Sequence, residues 1–333
     1  MTMKLFPSSL KSLIQDSSAV VVMGHKSPDM DAVGACAGIC AVARKLGVPA
    51  YIVRDSGNVP GKVMADRLMA HERYKDRFLS AADAVAGVNA STLLVVVDTN
   101  RPDQVQSKDL LAACSKVAVI DHHRRAAEYI EGASLNFHEP YASSACELVA
   151  ELLQYLLDSA DLLRVEAEAL LAGIMLDTKN FTMRTGGRTF EAAAFLRRAG
   201  ADTAEVKKFF QTDLAGTFAK LDLIRSAKLY RGEVALVAVE EPVGRVAAAQ
   251  CADELLNISG IESSFVVFPG PDAVTMISAR SMGKTNVQVV LEALGGGGNA
   301  AVAGAQLPGK SVGQAVAELK AAIDRYFEEN ENT

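Results

Sequence analysis

Short apolar, β-branched runs alternate with longer Ala-rich stretches through the first half of the chain, the pattern of a mostly parallel sheet covered by helices on both faces. The runs predict strands over 19–23, 49–53, 93–97 and 117–120. Helices are expected near 31–46, 61–71, 104–113, 144–158, 162–176 and 189–199. Ser144 and Glu147 make a capping box at the start of the helix near 144–158, and Gly47 and Gly200 suit helix C-terminal stops. Cys36 and Cys40 lie one helical turn apart beside Gly34 and Gly38, small residues that let their helix pack close on the sheet.

The pattern changes after about residue 230, where Val234 to Val239, Ser264 to Phe268 and Ala273 to Ala279 read as strands. The turn Pro269-Gly270-Pro271-Asp272 joins the last two into a hairpin, which a purely parallel sheet does not contain. Helices are expected over 244–256, 286–294 and 312–328, the last carrying apolar residues at Val312, Val316, Leu319, Ile323 and Phe327. The expectation is an α/β domain over 1–201, a helical linker over 202–230 and a smaller α+β domain over 231–333.

Composition removes several classes of function. Half of the 333 residues are hydrophobic and 22% are charged, the balance of a globular protein with a sizeable core. The formal charge of -6 gives no global attraction for long nucleic acid, so any phosphate must be held locally. Five cysteines without C-x-x-C spacing argue against a disulfide framework or zinc knuckle and predict reduced, mostly buried thiols. The first 18 residues contain no signal-peptide apolar core, and the longest apolar runs fall far short of the roughly 20 residues of a membrane span. A cytoplasmic chain without membrane contact is expected.

Four segments carry the candidate chemistry: His25-Lys26-Ser27-Pro28-Asp29-Met30-Asp31, Asp98-Thr99-Asn100, Asp121-His122-His123 and Asp177-Thr178-Lys179. Each follows an apolar run or ends a helix in the first domain, and ligands in open α/β sheets gather at the carboxyl ends of the strands. A single Asp after a hydrophobic run is usually a helix cap. Here three of the five histidines and five aspartates fall at one edge of one expected sheet. Imidazole and carboxylate without thiol favour Mn²⁺, Mg²⁺ or Fe²⁺ over structural Zn²⁺. So many carboxylates call for two ions, about 3.5–4 Å apart and sharing one carboxylate, which activate water as hydroxide and neutralise phosphoryl charge. The chemistry expected is metal-assisted phosphoester hydrolysis.

These segments, GHKSPDMDA at 24–32, VVDTNRP at 96–102, DHH at 121–123 and LDTKNF at 176–181, resemble the four signature motifs of the DHH phosphoesterases. ISARS at 277–281, Asn286-Val287 and the glycine run at 295–298 resemble the DHH-associated C-terminal domain. The stretches at 139–155 and 177–202 resemble the catalytic module of GdpP-type cyclic-di-AMP phosphodiesterases more than RecJ or family II pyrophosphatases.

The resemblance implies two divalent cations, Mn²⁺ above all, with His25, Asp29 and Asp98 on one and Asp31, Asp98, His122 and Asp177 on the other. Asp98 would bridge, Asp121 would orient a histidine, and His123 would face the scissile phosphate. Ser278, Arg280, Ser281, Gly295, Gly296, Gly297, Gly298 and Asn299 would hold the rest of the nucleotide across a cleft between the domains, and Arg188 would join them. A helix stop needs one glycine, so four in a row suggest backbone N–H groups approaching an anion. The substrate implied is cyclic-di-AMP, opened to linear 5′-pApA, with a short-oligonucleotide or pAp hydrolase of the NrnA type or a non-hydrolysing cyclic-dinucleotide sensor as alternatives. A homodimer is implied, and, for a chain cut from a longer protein, the cytoplasmic face of a membrane-anchored one. The glycine run ends in Asn299 where the family carries His, and DTN with Asn100 replaces the common DTH; Asn donates a hydrogen bond but carries no positive charge. His71 and His138 stand outside every motif and read as surface or structural residues.

Overall fold

A computed structural model describes residues 5–331 except Ser56, Ala126 and Thr212; positions 1–4 and 332–333 of the expected domains, and Thr212 of the expected linker, lie outside the described residues. The chain divides into two units, the first ending at Gln211.

The first unit is built on six parallel strands, β1 (Ala19–Met23), β2 (Ala50–Val53), β3 (Phe78–Leu79), β4 (Thr92–Val97), β5 (Lys116–Asp121) and β6 (Leu135–His138), in the order β3-β2-β1-β4-β5-β6. Its helices are α1 (Leu5–Gln15), α2 (Met30–Lys45), α3 (Lys62–Met69), α4 (Ala81–Ala86), α5 (Lys108–Ala113), α6 (Ala145–Leu156), α7 (Arg164–Asp177), α8 (Gly187–Arg198) and α9 (Thr203–Lys208). The alternation of side chains along β1 sorts two cores: Val20 and Val22 face the layer of α1, α2, α6 and α7, while Val21 and Met23 face that of α4 and α5. Burying both faces explains why the strands read as unbroken apolar runs.

The second unit contains α10 (Leu214–Arg225), β7 (Lys228–Tyr230), β8 (Val234–Ala238), α11 (Arg245–Leu255), β9 (Ser263–Pro269), β10 (Val274–Ser281), α12 (Val287–Glu292), β11 (Gly297–Gly298), β12 (Val302–Pro308) and α13 (Val312–Glu331). Its six strands run β11-β12-β10-β9-β8-β7, antiparallel except for the parallel pair β8 and β9. One core packs beneath α12 and α13 and the other beneath α10 and α11. The stretch 202–230 is thus α9, α10 and β7 rather than helix throughout, because Lys228–Tyr230 pairs with β8. Among the described residues no helix is long and apolar enough to cross a membrane.

Gly34 and Gly38 do allow a close approach, but to helices rather than to the sheet. A Cβ at Gly34 would lie 2.6 Å from the Ala169 carbonyl of α7 and 2.7 Å from Cys146 Sγ of α6, and one at Gly38 would meet Val149 at 2.4 Å. These contacts set α2 against the α6–α7 pair. All five cysteines are buried free thiols, as expected.

Candidate metal centre

The metal-ligand candidates converge where β1, β4 and β5 end. Leaving β1, the chain passes through Gly24 and His25 to Asp29, the N-cap of α2, whose Oδ1 accepts from the backbone N–H of Asp31 at 2.8 Å and Ala32 at 3.1 Å. Asp31, one residue into that helix, is fully buried. Its Oδ2 accepts from the Ala145 N–H at 2.7 Å and its Oδ1 from the Cys146 N–H at 2.9 Å, so the N-terminus of α6 holds this carboxylate. Asp98, directly after β4, stands at φ 60°, a left-handed backbone that Asp tolerates better than most residues. Its N–H donates to Ile120 O at 2.9 Å, extending the β4–β5 ladder while the chain turns. His122 and His123 follow β5, and Asp177 is the last residue of α7.

Asp98 sits between the histidines. Its Oδ2 is 3.4 Å from His25 Nε2, and its Oδ1 is 3.3 Å from His122 Nε2 and 3.5 Å from His123 Nδ1. His122 Nε2 also lies 3.3 Å from Asp177 Oδ2 and 3.9 Å from Asp31 Oδ2, and His25 Nε2 lies 3.9 Å from Asp29 Oδ1. Three groups result that are each tight enough for one ion: His25, Asp29 and Asp98; Asp31, His122 and Asp177; and Asp98, His122 and His123.

These contacts are too long for good hydrogen bonds but suit shared coordination. Two ligand atoms each about 2.1 Å from one ion, at 90–109°, stand about 3.0–3.4 Å apart. Asp98 Oδ1 and His122 Nε2 are buried without a hydrogen-bond partner, an arrangement that costs free energy unless a cation satisfies both. His25 Nδ1 donates to Lys26 O at 2.8 Å, which leaves Nε2 as the ring nitrogen that faces Asp29 and Asp98. The residues present therefore fit divalent metal.

Protons feel the same charge density. Burial, and next the negative Asp98, push Asp31 up to about 7; burial and Asp31 push Asp177 up to about 8. Burial works against the charged imidazoles, yet the facing carboxylates of Asp29 and Asp98 hold His25 at about 11, and the pull of Asp98 and Asp31 holds His122 at about 10. Burial would also raise Asp98, but the adjacent imidazoles of His122 and His25 override it and hold that carboxyl well below the usual range.

A buried relay lies behind His123. Asp121 Oδ1 accepts from the His123 N–H at 3.2 Å and faces its Nδ1 at 2.9 Å, while Asp121 Oδ2 accepts from the Asn100 side-chain amide. Asn100, a departure from the family pattern, thus has a defined partner. His138 stands opposite Asp121 in the β5–β6 register, its Nε2 2.5 Å from His123 O. His138, expected to be a surface or structural residue, makes this contact from the polar-interrupted edge strand LNFH, which gave no strand signal. A histidine one strand over from the DHH segment was the available clue.

Of the other expected site residues, Arg188 belongs to the first unit and the rest to the second. Arg188 Nε and Nη2 donate to the two Glu151 oxygens at 2.5 and 2.7 Å, a bidentate pair. In the second unit, Arg280 on β10 donates to Asp253 Oδ1 at 3.0 Å, Ala279 O at 2.9 Å and Ser278 Oγ at 3.3 Å, while buried Ser281 accepts from Gly283 N. Asn299 Oδ1 accepts from the Ala301 and Val302 N–H groups, each at 3.0 Å, and so shapes the turn into β12. The expectation that the glycine run exceeds structural need is overturned. Gly295 has φ +73°, a Cβ at Gly296 would strike Gly304 O at 2.5 Å, and one at Gly298 would strike Val302 O at 2.3 Å; only Gly297 combines open space with a backbone that does not call for glycine.

With carboxylates and imidazoles at the ends of parallel strands, and a separate mixed-sheet unit after them, the chain belongs to the DHH family: residues 19–174 match the DHH family, N-terminal domain, and 232–329 the DHHA1 domain. It is 42% identical over 331 residues to the cyclic-di-AMP phosphodiesterase GdpP of Bacillus subtilis, covering 98% of this chain and 50% of that protein. It is 41% identical over 332 residues to the cyclic-di-AMP phosphodiesterase PdeA of Listeria monocytogenes, covering 97% of this chain and 50% of that one. The chain therefore spans about half the length of these curated relatives. Its fold also matches a solved exopolyphosphatase-related protein from Bacteroides fragilis with a TM-score of 0.81 at 18% identity, over 97% of this chain and 96% of that one.

Proposed function

We propose that this chain is a two-metal phosphodiesterase that hydrolyses cyclic-di-AMP to linear 5′-pApA. The observation that carries the reading is the cluster around Asp98, whose buried Oδ1 shares a partnerless contact with His122 Nε2 between two groups of potential ligands. Substrate identity leans on the 42% identity to a relative named for that activity.

In this proposal His25, Asp29 and Asp98 hold one divalent cation, and Asp31, Asp98, His122 and Asp177 the other, with Mn²⁺ suited to the donor set. Such ions lower the pKa of water and neutralise charge on a phosphoryl group. Asp121 fixes His123 through Nδ1, leaving Nε2 of this 56% exposed side chain for a phosphoryl oxygen. Arg188, Ser278, Arg280, Ser281, the glycines 295–298 and Asn299 are proposed to hold the remainder of the nucleotide; for Arg188 and Arg280 this means sharing guanidinium donors now given to Glu151 and Asp253. A homodimer working in the reducing cytoplasm completes the reading, and a sedimentation mass of one chain at micromolar concentration would exclude the dimer.

The test incubates the protein with cyclic-di-AMP and Mn²⁺, then with EDTA, then as Asp98→Asn, and separates pApA from AMP by chromatography. The expected result is pApA that EDTA and Asp98→Asn both abolish. AMP as the main product would replace the reading with an oligonucleotide hydrolase, and tight binding without turnover would replace it with a sensor.

A further inference from the structure

On the opposite edge of the first sheet lies a cavity of about 280 Å³ walled by three arginines, Arg44, Arg73 and Arg77, with Cys40, Tyr74 and Ala50 among its other lining residues. Ala50 is the first residue of β2, so this cavity opens at the amino ends of the strands, whereas the metal-ligand candidates follow the carboxyl ends of β1, β4 and β5. A five-residue strand such as β1 puts the two edges about 15 Å apart.

The charges around this cavity do not balance. Arg44 is neutralised: its guanidinium donates to both oxygens of buried Glu166 and, at 2.9 Å, to Asp161 O. Tyr74 spends its hydroxyl on the same Glu166, at 2.6 Å. Neither Arg73 nor Arg77 has a carboxylate partner among the described residues, and no described carboxylate lines the cavity. The Arg77 guanidinium rests 5.5 Å from the Tyr51 ring centre, a contact that orients the fork without neutralising it. Arginines often complement the negative C-terminal end of a helix, and α2 ends here. Its last carbonyls, however, are already used, Ala43 O by Val48 N at 2.9 Å and Arg44 O by Gly47 N at 3.1 Å. Two guanidinium groups thus border one concave space without an anion of the protein's own, an arrangement that self-repulsion disfavours.

We infer that this cavity binds a compact phosphate-bearing anion through Arg73 and Arg77, at a site separate from the metal centre. Guanidinium forks match phosphate oxygens bidentately. The volume lies just below the roughly 300 Å³ at which drug-sized pockets begin, which suits a small phosphate ester or a pyrophosphate.

Inorganic pyrophosphate serves as the probe, titrated into the full chain in EDTA, which removes the divalent cations that would otherwise hold it at the metal centre. Calorimetry and the amide resonances of Gly47, Val48 and Ala50 report binding. The expected result is saturable one-to-one binding that shifts those amides and weakens at least tenfold in Arg73→Gln and in Arg77→Gln. Arg73 is exposed, so its variant folds even if Arg77→Gln does not. Hydrolysis of cyclic-di-AMP with Mn²⁺ and no pyrophosphate is expected to be unchanged in both variants, which separates this inference from the hydrolytic reading. Non-saturable binding to the unaltered protein, or equal affinity in the unaltered protein and the Arg73→Gln variant, would overturn it.

Discussion

Gly173 lies inside α7, where helix propensity alone favours Ala by about 1 kcal/mol. The packing predicts the opposite outcome. A Cβ there would stand 2.4 Å from Cys146 Sγ, 2.8 Å from Asp31 Oδ1 and 2.9 Å from Asp31 Cα, against ordinary contacts of 3.4–4 Å. Cys146 is a short side chain with no solvent exposure, and Asp31 is pinned by two N–H donors of α6, so neither can swing aside. Relief requires α7 to retreat from α2 by about 0.5–1 Å, and overpacking of this kind costs about 1–3 kcal/mol. After the propensity gain, the net destabilisation is about 0–2 kcal/mol, or up to about 8 °C in Tm for a unit of this size. The larger effect falls on chemistry, because displacing Asp31 by about 1 Å relative to Asp98 and His122 costs on the order of 10²-fold in rate. Circular dichroism melting and turnover of cyclic-di-AMP under saturating Mn²⁺ measure the two effects. A Gly173→Ala protein with raised Tm and undiminished turnover would refute the argument that this glycine exists to admit Asp31.

Four further outcomes follow from the same geometry. Asp31, Asp177, His25 and His122 all have folded values above their ordinary ones of 3.8 and 6.5, so the metal-free folded state binds protons that the unfolded chain releases. Their stabilisation is full in acid and lost as pH rises, the carboxylates' share by about 8 and the histidines' by about 11. Lowered Asp98 opposes this only in acid. The Tm of EDTA-treated protein should therefore fall from pH 6 to 9, and saturating Mn²⁺ should flatten the fall; a Tm that rises with pH in EDTA contradicts the assigned shifts. Asn100→Ala removes the amide that holds Asp121 and should cost about 10–100-fold in metal affinity or rate, read by calorimetry with Mn²⁺ and by turnover. His138→Phe deletes the contact to His123 O, worth about 0.5–1.5 kcal/mol, so turnover should drop roughly two- to twelvefold with Mn²⁺ affinity retained. Glu166→Gln leaves Arg44 and Tyr74 without their buried anion and should cost about 3 kcal/mol, low in the range for broken buried pairs because Arg44 keeps some solvent; denaturant melts would show it.

Legibility in the sequence tracked burial. Strands β1, β2, β4 and β5 were readable because both their faces are covered and their residues are nearly all apolar. The edge strands β3, β6, β7 and β11 were not, being short or interrupted by polar residues, and β12 hid because VAGAQLP alternates small and exposed residues. Losing β6 also lost His138. The candidate ligands were readable because each ends an apolar element, where a carboxylate or imidazole stands out. What no local pattern carries is which donors cross between segments: the α6 N–H groups on Asp31, the Asn100 amide on Asp121, and the close approach at Gly173 that joins α2, α6 and α7.

The cluster around Asp98 draws its members from four stretches of chain, beginning at His25 and ending at Asp177. No pair from a single stretch makes either of the groups proposed to hold a cation. A chain that has emerged from the ribosome only as far as α6 carries His25, Asp29 and Asp98 but not Asp177, so the group of Asp31, His122 and Asp177 is still incomplete. On the two-metal reading, capture of the second ion waits until α7 has docked, and that ion then favours the finished domain over every incomplete one. Hydrolysis that needs both ions, as proposed, would thereby be withheld from fragments that end before α7.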